Sequence, residues 1–401
     1  MLETDAIVTS PLDRAPAVES AARGDELDIR WDDRDEIAAI IRRTVGTRIV
    51  TIIPAHNEAQ SIAATIASVR AQTLQPTLII AAANNCSDGT EAVAREHGAL
   101  LFYAEPNRDK KAGALNLTLD FVMPLLRDDD AILAMDADTT LSDTFIETAL
   151  AKLREDVGGR GVGGVGGAFV GRPSRRAIGI LQQMEFHRYR REIIRRGERA
   201  LVLSGTGALL SVEALRTVKA SRDGVTLPRG NGYYDTASLT EDNELTLALL
   251  TCGYQCLSPA SMITTTDVME TPGALWTQRE RWYLGALRNL SAYGTSLPWY
   301  LKWVYWTQQF GLLSSIMTVV AHVSLVVLLI TLGQPLTLSP IWTAAAAVVI
   351  LINLLTVWTL GWRARVLAVT LEPLYALYLI AIFCGAFVKW ITGHKGDWVQ
   401  T

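Results

Sequence analysis

The chain has 401 residues, 49% of them apolar, with four cysteines and a formal net charge of −4 at pH 7. That length admits one large domain or two, and the charge gives no ground for a nucleic-acid partner. Cys86, Cys252, Cys256 and Cys384 form no disulfide framework, which suits a reducing compartment, and Cys252 and Cys256 lack the His or second Cys pair that zinc would require.

Residues 1 to about 29 are polar and proline-containing and read as disordered. They have neither a basic start nor an apolar stretch, so no signal peptide or early span is expected, and the catalytic part is expected to stay in the cytoplasm. "RDEIAAIIRRT" then reads as a short amphipathic helix that closes an N-terminal segment, residues 1–45. From Arg48 apolar strands alternate with helices: "RIVTIIP", a helix from Ala59, "PTLIIAAA", a helix from Thr90, "ALLFYAE", a helix from Ala112 and "DDAILAMD". This alternation predicts an α/β domain, residues 46–295, with a mostly parallel sheet covered on both faces. Ligands of such sheets gather outside the carboxyl ends of the strands, where Asp136 and Asp138 stand.

"VGGVGGAFVG" reads as one strand whose glycines permit close approach. Residues 172–199 carry nine arginines around Ile178, Ile180, Leu181, Met184 and Phe186. This helix either lies against anionic lipid headgroups or packs on the protein with a solvated charged face. "ALVLSGTGALLS" reads as a strand and turn and residues 221–238 as a loop, followed by a helix from Glu241, a strand near Tyr254 and a stretch leading through Trp276.

Three apolar runs close the chain. Residues 312–332 and 341–360 hold no Asp, Glu, Lys or Arg, and 366–391 hold only Glu372 and Lys389. Each is long enough to cross a hydrocarbon core, which takes about 20 helical residues. Ten of the eleven Trp follow Leu275, and Trp299, Trp303, Trp306, Trp342, Trp362 and Trp390 sit near the ends of these runs, where indoles anchor spanning helices. The expectation is an interfacial segment (296–310), about three transmembrane helices (311–392) in the cytoplasmic membrane, and a tail (393–401); buried core helices are the plainer alternative. Arg363 and Arg365 suit the cytoplasmic side and the Lys- and Arg-free loop 333–340 the outside, which would leave "HKGDWVQT" outside. Glu372 must face other helices or a polar cavity, with Pro373 marking a break.

Polar groups recur at strand ends and adjoining loops: "PAHNE" (54–58), "NNCSDGT" (84–90), "DAD" (136–138) and "TED" (240–242). Together with "DKKAGALN" (109–116) and "QRERW" (278–282) they resemble membrane-bound glycosyltransferase family 2 enzymes, most nearly the cellulose, hyaluronan and poly-N-acetylglucosamine synthase branch, from about residue 48 to 290. The resemblance implies a GT-A fold, a nucleotide-sugar donor (usually a UDP-sugar), Mg2+ or Mn2+, and inversion at the anomeric carbon.

The chemistry fits these residues. A departing nucleoside diphosphate is an anion, and a hard cation that takes carboxylate oxygens would neutralise it. Asp138 is the expected metal ligand, with Asp136 reaching the donor's ribose or sharing the metal; an exposed acidic loop is the plainer reading. Asp242 is expected to remove the proton of the attacking hydroxyl, an aid of roughly 10²- to 10⁴-fold, as inverting glycosidases do from the face opposite the leaving group. Glu241 supports the acceptor side. The plainer reading of "TED" is a helix start capped by Thr240. Arg281 and Arg279 are expected to grip the diphosphate through forked bonds, while Trp282 offers a flat face to an acceptor sugar and Gln278 a hydrogen bond; an interfacial Arg and Trp cluster is the alternative. By the family pattern Ala55, Glu58 and Asp88 hold base and ribose, and Lys111 lies near the phosphates. Ser204 and Gly205 of "SGTG" shape the acceptor pocket, a plain tight turn being the alternative. His56 reads as a turn residue.

Synthases of this branch carry spans on both sides of the catalytic domain and thread their product between them, whereas here the candidate spans all follow it. Three helices are too few to enclose a sugar-wide channel, so either chains associate as a homo-oligomer, a membrane partner subunit supplies helices, or nothing is threaded. The expectation is a short or single addition to a saccharide, lipid-linked or membrane-proximal acceptor at the bilayer. The tail resembles cytoplasmic tails of related enzymes, which makes one run a candidate for not crossing fully. Transfer to a polyprenyl phosphate is the rival enzyme reading, weakened by "QRERW". A catalytically silent membrane scaffold is the rival from another class, opposed by the filled acidic positions.

Overall fold

The computed structural model describes residues 32–228, 230–294, 296–333 and 340–394. The segment expected to be disordered, most of the loop between the first two apolar runs and all but the start of the tail lie outside the described residues.

The amphipathic stretch forms α1 (Arg34–Arg43), which buries Ile37 and Ile41. β1 (Ile49–Ala55), α2 (Ile62–Arg70), β2 (Leu78–Ala83), α3 (Thr90–Glu96), β3 (Leu100–Tyr103), α4 (Lys110–Val122) and β4 (Ala131–Ala134) then alternate as expected. β1 pairs in parallel with both β2 and β4, and β2 pairs in parallel with β3. The chain thus winds outward from β1 to β3 and returns to the other side of β1, so a switch point lies between β1 and β4, where α/β sheets open a crevice. Alternate β1 residues feed two cores: Val50 and Ile52 face one with Leu115 of α4, Ile49 and Ile53 the other with Ile66 of α2.

The second half departs further from the sequence reading. It contains β5 (Thr140–Leu141), α5 (Phe145–Leu153), β6 (Val162–Gly166), β7 (Ala168–Gly171), α6 (Ala177–Arg195), β8 (Ala208–Ser211), α7 (Val212–Asp223), α8 (Glu241–Thr251), β9 (Gln255–Leu257) and β10 (Ile263–Thr266). The main sheet has seven strands in the order β3-β2-β1-β4-β8-β6-β9, with β8 antiparallel to both neighbours; a second sheet has the order β5-β10-β7. "VGGVGGAFVG" is therefore two strands in two sheets, parted at Gly167. In "ALVLSGTGALLS" only the last part is a strand, because the preceding backbone bonds elsewhere: Gly205 accepts from Asp136 N–H and donates to Asp242, and Gly207 accepts from Gly167 N–H.

α9 (Pro272–Tyr293), α10 (Trp299–Thr331), α11 (Pro340–Thr356), α12 (Trp362–Thr370) and α13 (Glu372–Ile391) complete the chain. "QRERW" lies within α9. The third apolar run is not one helix, since it breaks between α12 and α13, with Pro373 in the first turn of the latter. Among the described residues α13 is the helix long and apolar enough to cross a membrane by length and composition. The apolar side of α6 packs inside the protein, where Ile180, Leu181 and Met184 meet Leu275, Ala368 and Tyr375. Glu372 is covered too, 2.5 Å from Arg188 of α6.

α7, α8 and α9 are locked by a buried polar cluster. Arg222 and Glu244, both with fully buried side chains, pair at 2.7 Å, and the Tyr293 hydroxyl donates to the other Glu244 oxygen. Removing one member of such a pair strands the other charge without water. Arg222→Met is expected to cost about 3–5 kcal/mol in denaturant unfolding, and Arg222→Met with Glu244→Gln to recover most of it, since the amide oxygen still accepts from Tyr293.

Candidate active site

β1 ends at Ala55 and β4 ends at Ala134, one residue before the 136–138 turn, so the switch point delivers both strand ends to one place. There a cavity of about 430 Å³ opens, within the roughly 300–1,000 Å³ usual for small-molecule sites. Ala55, Glu58, Lys111, Asp136 and Asp138 line one part of it; Ser204, Gly205, Glu241 and Asp242 line another; and Gln278, Arg281 and Trp282 reach it from α9.

Two expected residues stay off its wall. Asp88 instead holds loops together, accepting from the N–H groups of Ala59 and Thr90 at 3.1 Å each. Arg279 is turned to α6, where it donates to Glu185 at 3.1 Å, because a guanidinium sealed among apolar groups needs a carboxylate more than the solvated cavity does. Thr240 occupies the N-cap position of α8 but makes no capping bond; its hydroxyl accepts from Asn289.

Gly205 joins the two acidic motifs. Its carbonyl accepts from Asp136 N–H at 2.9 Å and its N–H donates to Asp242 Oδ2 at 2.9 Å. Asn243 N–H bonds the other Asp242 oxygen at 2.7 Å. Lys111 Nζ lies 2.6 Å from Asp136 and 2.8 Å from Glu241. It is carried by the start of α4, whose approach depends on Gly113: a Cβ there would sit 2.0 Å from Asn107 Oδ1, the acceptor that fixes the turn before the helix.

The charges are set apart by these contacts. Burial raises Asp242 to about 6, with Glu241 adding to the effect and Lys111 and the two N–H groups opposing it. Burial alone would raise Glu241 as well, but Lys111 holds it below the usual range. Asp136 also rises to about 6 through burial, against the pull of Lys111. Lys111 itself, which burial alone would lower, stays well above the ordinary lysine value beside Asp136, Glu241 and Asp242. At neutral pH this leaves a charged Lys111–Glu241 pair next to a carboxylate that both accepts and releases protons in the working range.

Burial raises Asp138 too, helped by Glu58 and Asp267 and opposed by its bond from Thr139. A divalent cation would relieve that crowding. Among the described residues no three His, Cys, Asp or Glu side chains are arranged to hold a metal. Asp138 and Asp136 could thus supply one or two carboxylates, with phosphate and water oxygens completing the shell, which is how Mg2+ is commonly held with nucleotides.

Sequence reasoning missed Asp267, an acid at the end of β10 that the strand-end rule applied to "DAD" would have found had β10 been recognised. It also missed Phe169, Phe186 and Met269, apolar wall residues with no sequence signal apart from core packing.

Residues 50–219 match the family model described as Glycosyl transferase family 2. "TED" and "QRERW" lie beyond the matched residues. Among solved structures, the mannosyltransferase PcManGT from Pyrobaculum calidifontis, in complex with GDP-Man and Mn2+, aligns with 90% of this chain and 94% of its own at TM-score 0.59 and 16% identity, a likeness of fold. The glucosyl-3-phosphoglycerate synthase of M. tuberculosis aligns with 67% of this chain and 86% of its own at TM-score 0.39 and 19% identity. No curated protein matches the chain.

A Cβ at position 205 would lie 2.5 Å from Lys111 Nζ and 3.1 Å from Asp136 Oδ2. Lys111 is pinned between two carboxylates and has nowhere to retreat without breaking a pair. Gly205→Ala is therefore expected to leave thermal unfolding within a few degrees of wild type while lowering any nucleotide-sugar turnover by about tenfold or more.

Proposed function

We propose that the protein is an inverting, metal-dependent glycosyltransferase of the cellulose and hyaluronan synthase-like branch. It moves a sugar from a nucleotide-sugar donor to a hydroxyl acceptor at the cytoplasmic face of a membrane, in one or a few additions. The observation that carries this reading is that Asp242 and the Asp136–Asp138 pair line one cavity and are joined through the backbone of Gly205.

The donor's base and ribose rest against Ala55 and Glu58, with Asp136 within reach of the ribose. When bound, Mg2+ or Mn2+ supplies Lewis-acid stabilisation of the diphosphate leaving group. Lys111 and Arg281 add fixed positive charge near the phosphates, which needs no reorganisation as negative charge develops there. On the other side the acceptor sugar lies on Trp282. Gln278 Oε1, buried and without a partner among the described residues, accepts from one of its hydroxyls. Asp242 takes the proton of the attacking hydroxyl at its carboxylate oxygen, and Glu241, kept charged by Lys111, disfavours early proton loss from Asp242. Attack from the side opposite the leaving group inverts the anomeric centre. The sequence resemblance favours a UDP-sugar, and the neighbour of like fold was solved with GDP-Man, so both donor classes merit testing.

The membrane reading rests on exposed apolar surface. Val320, Leu328 and Ile330 of α10 and Val349, Leu351 and Leu355 of α11 are each more than half exposed, far more than an aqueous surface normally shows in one place. In this reading α10 and α11 are the two crossing helices. α13 has the composition of a span, yet it runs alongside α9: Tyr378 bonds the Pro272 carbonyl at 2.6 Å, Lys389 pairs with Glu280 at 2.6 Å, and Arg288 donates to the His394 carbonyl. Since α9 carries the cavity residues Gln278, Arg281 and Trp282 together with Glu280, it belongs at the membrane face, and α13 stays with it. Two crossings then return the tail to the cytoplasm.

With Mn2+ and a panel of UDP- and GDP-sugars, membranes holding the wild-type chain are expected to release nucleoside diphosphate, and Asp138→Ala and Asp242→Asn to lose this by roughly 10²-fold or more. Since the base acts unprotonated, kcat at saturating donor and Mn2+ is expected to be flat above and to fall as pH drops below about 6. A single cysteine placed by Asp397→Cys in a cysteine-free chain is expected to react with impermeant maleimide only when the cytoplasmic face is opened.

A further inference from the structure

Arg279 lies outside the cavity, yet it is bound to a residue inside it. Its guanidinium carbon is 4.3 Å from the centre of the Trp282 ring and 5.5 Å from that of Phe186. Trp282 and Phe186 both line the cavity, while Arg279 is 4% exposed and does not. A cation out of water gains more from an aromatic face than a hydrated one does, so the flat guanidinium serves as a rigid backing for the indole.

That backing is secured from the C-terminal helix. Arg279 donates to Glu185 Oε2 at 3.1 Å, and the same oxygen accepts from the Tyr375 hydroxyl of α13 at 2.7 Å. Glu185 is partly exposed on its own, so the tyrosine is what holds its carboxylate towards Arg279. The neighbouring position on α9, Glu280, pairs with Lys389 near the far end of α13, and Phe383 packs edge-on against Tyr283. Two successive α9 residues thus face opposite tasks: Glu280 docks α13, and Arg279 passes that docking to the cavity wall.

We propose that Arg279 is a positioning residue that fixes the plane of Trp282, and that Tyr375 holds it in place through Glu185, so that seating of α13 sets the acceptor platform. Calling Trp282 an acceptor platform rests on the transferase reading above; the mechanical link does not. Cutting the link should loosen Trp282 and spare nucleotide binding, the opposite of what a diphosphate ligand at position 279 would do.

The full chain, labelled with 5-fluorotryptophan and held in detergent micelles, tests this by fluorine NMR, with the Trp282 signal assigned by its absence in Trp282→Phe. Tyr375→Phe is expected to shift or broaden that signal, Arg279→Leu to do so more strongly, and Arg279→Lys to restore part of it. UDP and GDP affinities measured with Mn2+ should stay within about twofold of wild type in all three. An unchanged Trp282 signal in both Tyr375→Phe and Arg279→Leu would overturn the proposal. So would a loss of nucleotide affinity of about tenfold or more in Arg279→Leu, which would return that residue to the diphosphate. A wild-type chain that binds neither nucleotide would count against the transferase reading alone, and the fluorine signal would still decide the link.

Discussion

One ammonium group makes the acidic cavity tenable. Lys111 touches Asp136 at the end of β4 and Glu241 at the start of α8, and it acts on Asp242 one residue further on. Three carboxylates recessed against one another would otherwise take up protons together. With the lysine between them, Glu241 stays charged while Asp136 and Asp242 rise only to about 6. The rest of the site follows from placing that amine: Gly113 lets the turn before α4 close, and Gly205 leaves space where any side chain would meet it.

The cavity divides along the fold. One end is built by the parallel half of the sheet, where β1 and β4 part at the switch point and project Ala55, Asp136 and Asp138. The other end comes from α6, packed on β7 of the small second sheet, which brings Phe186, and from α9, packed on α8 and α13, which brings Gln278 and Trp282. Gly205 joins the ends, since its carbonyl accepts from Asp136 N–H while its N–H donates to the Asp242 carboxylate, which keeps Asp242 close to the acidic turn. Backbone groups of Gly205 serve this purpose well because they carry no rotamer freedom of their own.

The same division sorts the arginines. In residues 172–199 and in α9 they are dispersed among structural partners: Arg188 to Glu372, Arg190 to the Ala260 carbonyl, Arg279 to Glu185. Each links the catalytic part to a neighbouring helix or loop, so a stretch that looks like a lipid-binding surface in sequence spends much of its charge within the protein. What faces outward instead is apolar, along α10 and α11.

Much of the first half was legible, because alternating strands and helices with short connections leave one economical way to pair, and the acids at strand ends then fall at the crevice. "DAD" could be placed near a site for the same reason, whereas "TED" and "QRERW" were tied to it through the family resemblance. Legibility failed where long-range pairing overrode local pattern: Gly167, where one apparent strand divides between two sheets; β5 and β10, too short to signal themselves; and Leu371, where one apolar run becomes two helices. The sequence by itself determined which residue types were on offer and the alternation that brings the front-half acids to one edge, since periodicity and charge are local properties. Only the tertiary structure decided that Lys111 sits between two acids, that Asp88 and Arg279 turn away and that α13 lies along α9. Each of these outcomes depends on partners from 25 to 130 residues away competing for the same polar atoms.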